Sequence, residues 1–320
     1  MGTWTQALLK NALDATAPIL FAAMGGIFAH QAGLLNIGIE GMMLGGAFAG
    51  VIAAYYTGDI VLAVLAAGAA GAAMAAIFCL FVLGLRANVV VVGLAINTLA
   101  VGLTGYLLPT VFGVHGAFAP PGLRGLAPVR LWGIEAIPWL GPILSGHTIL
   151  VYLAWVVVAA TAFLLYRTVW GLRLRAVGQD LEAALAAGVH PVRLQVAALL
   201  ISGFLGGLAG AQLSLGELTL FNKAMTGGRG FIALAAFYFG ASRPWPTAGA
   251  SLLFGLFQSL QFRLQPLGWP PQLLEMLPYV TVVATLVLVR VAEARRRARL
   301  ARLVTVQGQR GPELGVGGAG

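Results

Sequence analysis

The stretch Gly33-Leu-Leu-Asn36-Ile-Gly-Ile-Glu40-Gly41-Met-Met-Leu-Gly45-Gly46-Ala-Phe-Ala-Gly50 sets one amide and one carboxylate in an otherwise apolar run. At spacing i,i+4, Asn36 and Glu40 are placed to share one face of a helix. An ionisable group at membrane depth costs on the order of a few kcal/mol even on lenient insertion scales, so it faces a partner or a water-filled path. Gly41/Gly45 and Gly46/Gly50 form two small-xxx-small pairs, the spacing that lets another helix approach backbone to backbone. A polar face on a closely packed helix belongs inside a bundle, and points to a transport path.

Working outward, composition makes the membrane assignment independently. Of the 320 residues, 9% are charged and 59% hydrophobic, with a mean hydropathy of +0.91; soluble domains carry roughly 25% charge. The net charge of +9 invites a nucleic-acid reading, but its placement argues against one. Arg290, Arg295, Arg296, Arg297, Arg299 and Arg302 directly follow an apolar span, the mark of a cytoplasmic flank in contact with anionic membrane lipid. The lone Cys79 excludes an intrachain disulfide.

Apolar segments lie at 13–31, 35–56, 59–85, 89–112, 146–166, 195–216, 229–241, 246–263 and 272–290. This predicts an all-α, polytopic transmembrane helix bundle of about 8–10 spans. The seventh segment is short enough for a half-helix or re-entrant element. The first follows Lys10 and reads as a span rather than a cleaved leader, because more membrane follows it. Arginines at 167, 173, 175 and 193 place the interval 167–194 in the cytoplasm together with the C-terminus. The proline-rich interval 113–145 then falls outside as an extended loop, with a short interfacial piece around Leu131–Trp139. On this count the N-terminus is outside. Residues 1–294 form the transmembrane domain, and 295–320 a basic, then glycine-rich, disordered tail.

The sixth span repeats the packing signal of the second, with Gly203/Gly207 and Gly206/Gly210. Gln212 at its end is either a substrate-facing group or a polar group satisfied at a helix interface. No catalytic constellation is legible. His30, His115, His147 and His190 are isolated, which gives no metal site, and no cofactor motif is present. Lys10 and Lys223 are followed by Asn11 and Ala224, so a phosphate-binding Gly-x-x-x-x-Gly-Lys-Ser/Thr loop is absent. If ATP drives transport, a separate subunit hydrolyses it. In the cytoplasmic interval, Asp180 is placed to cap a short helix through Glu182 and Ala183–Ala187 that stops at Gly188. Such an element is either a lever for a partner or an ordinary loop helix.

These residues together resemble the permease subunits of bacterial ATP-binding-cassette importers for branched-chain amino acids, simple sugars and nucleosides. The carriers are GLLNIGIEG (Gly33–Gly41), GLAINTLAVGLT (Gly93–Thr104), Gly171–Gly188, GGRGFIALAAFYFG (Gly227–Gly240), Phe254-Gly255 and PQLLEMLPY (Pro271–Tyr279), spread over residues 15–290. The NIGIEG form looks like the nucleoside-type branch. Ala241-Ser-Arg-Pro-Trp-Pro246 departs from the glycine-rich, single-proline turn more usual there, which leaves that turn's shape open. The resemblance implies the type II importer architecture. Its partners would be an ATP-binding subunit, a second homologous permease in a heterodimer, an extracytoplasmic substrate-binding protein and a small-molecule solute.

The same resemblance makes 171–188 the ATPase-coupling segment, carried by Arg175, Gly178, Asp180, Glu182, Ala183, Ala184 and Gly188. Asn36, Glu40 and Asn97 match polar motif positions. With Gln212 they are the candidate path residues, and Gly41, Gly45, Gly203 and Gly207 the candidate packing residues. Simple sugars, branched-chain amino acids and riboflavin are alternative solutes. The competing class is an ion-coupled secondary transporter with Glu40 as the coupling site. It would need more buried ionisable groups than these helices offer.

Overall fold

The computed structural model describes residues 2–120, 122–133, 137, 139–265, 276 and 280. The chain divides into two units, Met1–Pro278 and Tyr279–Gly320; of the described residues all but Val280 lie in the first. The ninth expected span, the PQLLEMLPY motif as a whole and the basic tail lie outside the described residues.

Eleven helices are described: α1 (Gly2–Gln31), α2 (Ile39–Thr57), α3 (Ile60–Cys79), α4 (Val89–Phe112), α5 (Gly141–Leu144), α6 (Ile149–Arg167), α7 (Val169–Gln179), α8 (Leu181–Ala186), α9 (Pro191–Ala211), α10 (Arg229–Phe239) and α11 (Pro244–Leu264). Helix α3 runs on as a π-helical turn, Leu80–Gly84, and α9 as another, Gln212–Glu217. Six of these elements are long and apolar enough to cross a membrane, and α10, at 11 residues, is not.

Local chemistry sets the boundaries. Gly58 ends α2 in the left-handed conformation, and Asp59 caps α3 by accepting from Val61 N (2.8 Å) and Leu62 N (3.3 Å). Asn88 caps α4 in the same way. Helix α1 starts well before residue 13. Its first turns are held by α11, where Ser259 Oγ donates to Leu8 O (2.9 Å), and a Cβ on Gly255 would lie 2.7 Å from Ala12 O. Tertiary packing thus extends a helix that composition alone starts later.

The core gathers around α1, which is apolar on all sides and buried on nearly all of them: Ile19, Leu20, Phe21 and Met24 have no exposed surface. Helices α9 and α11 pack against α1, while α3 closes on α2 and α9. Where α2 meets α9, a Cβ on Gly46 would sit 2.5 Å from Gly207 Cα. One on Gly45 would sit 2.5 Å from Met74 Sδ. Gly203 and Gly207 meet the backbone carbonyls of Gly71 and Ala67. Helix α4 is peripheral, turning Val91, Leu94, Val101 and Tyr106 outward.

The two ends of the bundle differ. At one, β1 (Ala117–Phe118) pairs antiparallel with β4 (Phe221–Asn222), and β2 (Pro128–Val129) with β3 (His147–Thr148). Phe118 stacks on Phe112 at 3.7 Å between centroids, which fastens the 113–148 loop to α4. The helical turn in this loop falls at Gly141–Leu144, after the Leu131–Trp139 stretch expected to hold it; residues 134–136 and 138 lie outside the described set. At the opposite end α7 docks against the end of α1, where Gly178 meets the Gln31 carbonyl. The Ala241-Ser242 turn keeps a glycine-like shape without glycine, at φ +49° and +53°. That strain, about 1–2 kcal/mol per residue, is countered by Gln31 Nε2 donating to Ser242 O (3.0 Å) and by a Ser242 Oγ–His30 Nδ1 contact (3.0 Å).

Candidate functional site: a clasp of two broken helices

Two stretches of non-helical backbone lead to the two helix starts that edge the site. Residues 32–38 turn inward until Asn36 meets Ser202, in the middle of α9. Residues 218–228 lead to the start of the short α10. Irregular backbone at membrane depth survives only when buried in protein or lining a cavity, because its polar groups must be satisfied without lipid. Here side chains from other helices satisfy them.

Asn36 does not lie on α2, which begins three residues later, so it shares no helix face with Glu40. Its Oδ1 accepts from Gly38 N (3.1 Å), a local turn that competes with helix. Its Nδ2 faces Ser202 Oγ at 2.9 Å and Met42 Sδ at 3.3 Å. Asn36 is buried and fully engaged, and it pins the loop.

Helix α2 starts at Gly38 with no cap of its own. Asn97 of α4 supplies one: its Oδ1 accepts from Gly41 N (2.7 Å), and its Nδ2 donates to Ile37 O (3.0 Å). The contact needs Gly41, since a Cβ there would lie 2.8 Å from Asn97 Cα. Helix α10 starts at Gly228 and is likewise uncapped by its own side chains. Glu40 of α2 fills that role, accepting from Gly228 N at Oε1 (2.8 Å) and from Gly230 N at Oε2 (2.6 Å). A carboxylate against the positive end of a helix is the favourable arrangement. Gly230 is as tightly required as Gly41, with its Cβ position 2.7 Å from Glu40 Cα. Asn97 thus caps α2, and α2 in turn caps α10.

This clasp edges an open cavity of about 570 Å³ lined by Glu40, Asn97 and Thr98, the apolar Leu44 and Phe231, and Lys223. The structure therefore brings Glu40 and Asn97 together and leaves Asn36 and Gln212 apart from them. Lys223 was not singled out for the path; the available signal was a lone lysine between apolar segments. Its stem passes Gly105, and among the described residues its ammonium has no hydrogen-bond or ion-pair partner. Behind the clasp, Arg229 Nη1 donates to Met225 O (2.9 Å). With the Gln258 amide oxygen turned toward it, the guanidinium also donates from Nε (3.0 Å) and Nη2 (3.2 Å), fastening α10 to α11.

At the opposite end, α8 is capped by Asp180, whose Oδ1 accepts from Ala183 N (3.0 Å). Gly188 follows at φ +75°. Ala184 is buried, while Glu182, Ala183, Leu181 and Leu185 face outward. Arg175 of α7 lies over the Tyr166 ring at 4.9 Å, and Gly178 makes the α1 contact described above. No group of three His, Cys, Asp or Glu side chains is placed to hold a metal among the described residues.

A helical membrane bundle whose broken helices line an open cavity is the architecture of a permease. Residues 8–286 match the family described as the branched-chain amino acid transport system / permease component, and the chain belongs to it. It is 34% identical to the guanosine ABC transporter permease protein NupQ of Bacillus subtilis, over 84% of this chain and 88% of that one. It is 33% identical to the nucleoside ABC transporter permease protein NupC of Lactococcus lactis subsp. cremoris, over 88% and 92%. A solved chain of an ABC transporter described as metal-chelate type, in an inward-facing conformation, shares the fold with a TM-score of 0.50 at 18% identity, covering 90% of each chain. The protein is thus a multi-pass permease subunit of an ABC transporter.

Proposed function

We propose that this chain forms, with a second and non-identical permease, the path of an ATP-binding-cassette importer for a nucleoside or similar small solute. The observation that carries the solute class is the one-third identity, over most of both chains, to permeases named for guanosine and nucleoside transport. The cavity beside Glu40 and Asn97 supports a path. The outward apolar face of α4 offers a surface for the second permease. Glu40 shapes this path by holding α10. Both carboxylate oxygens of Glu40 accept from backbone N–H groups at the start of α10, which favours a helix-holding role over ion coupling.

Residues 1–294 act as the permease domain, with 113–145 outside the cell and both 167–194 and the 295–320 tail in the cytoplasm. An ATP-binding subunit hydrolyses ATP and engages α8 through Glu182 and its outward neighbours, and an extracytoplasmic protein delivers the solute. Gly41, Gly45, Gly203 and Gly207 serve packing. The test is uptake of tritiated guanosine by cells carrying the complete transporter, against cells lacking only this permease. Uptake that depends on the permease is expected. Permease-dependent uptake of leucine or a sugar, with none of guanosine, overturns the solute assignment.

A further inference from the structure

The unusual turn Ala241-Ser-Arg-Pro-Trp-Pro246 delivers a cation and an indole to the start of α11. Arg243 is the residue before the helix, and Pro244 opens it at a position where no N–H is needed. Gly240 closes directly on the backbone of Thr247, and Ser242 is tied to α1 through Gln31 and His30. The turn is therefore held from both sides. Arg243 and Trp245 line one wall of an open cavity of about 590 Å³, and Phe163, Tyr166 and Arg167 of α6 line the other. The three α6 residues share a face at helical spacing.

These side chains are accessible to whatever enters: Phe163 is 61% exposed, Trp245 60%, and both arginines are exposed. Among the described residues no acidic side chain lines the cavity, and neither guanidinium has a hydrogen-bond or ion-pair partner. Arg175 over the Tyr166 ring adds a third cation beside the same wall. Arg167 ends a helix long and apolar enough to cross a membrane, so the cavity lies where the hydrocarbon core gives way to water. Tryptophan, tyrosine and arginine are the side chains that suit that level. Phe163 sits one turn deeper in the span, where an acyl chain passes and a soluble protein does not reach.

We infer that this cavity binds an anionic phospholipid. The headgroup phosphate lies between the guanidinium groups of Arg167 and Arg243, and one acyl chain runs along Phe163. The Trp245 ring lies at headgroup level and closes the cavity from the α11 side. A lipid so held joins the end of α6 to the start of α11.

The test is native mass spectrometry of the full-length permease in detergent, titrated with phosphatidylglycerol and with phosphatidylcholine of the same chains. Each arginine beside an anionic headgroup contributes about fivefold, so wild-type protein is expected to hold phosphatidylglycerol roughly twentyfold more tightly. Arg167→Gln and Arg243→Gln should each weaken phosphatidylglycerol about fivefold and leave phosphatidylcholine unchanged. Arg86→Gln combined with Arg193→Gln removes two exposed charges that do not line the cavity, and should change neither lipid. A photoreactive phosphatidylglycerol on wild-type protein should label segments 162–167 and 243–246, a readout that stands even if the variants fold poorly. Equal wild-type affinities, an equal loss in the Arg86/Arg193 pair, or labelling confined to other segments each overturns the site. Displacement of the lipid by millimolar inorganic phosphate overturns it too, because the apolar wall would then add nothing. If the Arg167 and Arg243 variants keep their lipid preference but release the ATP-binding subunit, the surface belongs to that protein and the proposal falls.

Discussion

Replacing Glu40 tests the clasp directly. Glu40→Leu leaves the N–H groups of Gly228 and Gly230, now bonded at 2.8 and 2.6 Å, without acceptors at the start of α10. Each orphaned buried donor costs about 1–3 kcal/mol, so the first turn of α10 loses about 2–6 kcal/mol of local stability. Glu40→Gln keeps one acceptor oxygen and turns an amide NH2 toward the other donor, which costs about half as much. The opening equilibrium of residues 224–232 should then rise by roughly thirtyfold or more for Leu, at 1.4 kcal/mol per factor of ten, and by less for Gln. Hydrogen–deuterium exchange of the 224–232 segment in purified protein reads this, and uptake at matched membrane abundance reads its consequence. Exchange should accelerate in the order wild type, Gln, Leu, with uptake falling in the same order. Wild-type exchange and uptake in the Leu variant would refute the capping role of Glu40.

Asn97→Leu removes the acceptor of Gly41 N and the donor to Ile37 O, and should destabilise the protein by about 2–4 kcal/mol, read as a lower thermal midpoint in detergent. Gly207→Leu drives a side chain into the Ala67 carbonyl and should cut folded protein in the membrane severalfold without changing which solute is taken up; normal abundance with altered selectivity would contradict that. Ala241→Gly relieves a left-handed alanine and should stabilise by up to about 1 kcal/mol, detected as a raised thermal midpoint. Glu182→Lys should leave the chain in the membrane yet abolish uptake, and cysteines at 182 or 186 should cross-link to the ATP-binding subunit. If neither links while a cysteine in the 113–145 loop does, the proposed orientation is inverted.

The spans were legible because a membrane core demands long apolar runs, and the start of α8 because Asp180 is a local cap. Asn36 was read as helical from its i,i+4 spacing to Glu40, but its own side chain closes a turn on Gly38 and keeps it out of the helix. Helix α7 was hidden: it is anchored by Thr168 Oγ1, which accepts from Gly171 N, and by the contact of Gly178 with the end of α1. The need for a partner at Glu40 could be read from the cost of a buried charge. The partner's identity could not, since Gly228 and Gly230 lie 188 and 190 residues away. The π-helical turn at Gln212–Glu217 was likewise invisible, because nothing in the residue pattern announces one.

The chained capping of α2 by Asn97 and of α10 by Glu40 bears on how such a chain diversifies. Neither helix carries its own terminal acceptor, so a change at position 40, 41, 97 or 230 is felt by elements encoded far from it. A shorter acid at 40 would fall short of both glycine amides, and a larger residue at 41 or 230 would force the facing backbone apart. These four positions are packed against one another in pairs, so a substitution at one changes the space or the hydrogen-bond partner left to its neighbour. Thr98, Lys223 and Phe231 line the same cavity without holding a helix end, so substitutions there leave both caps in place.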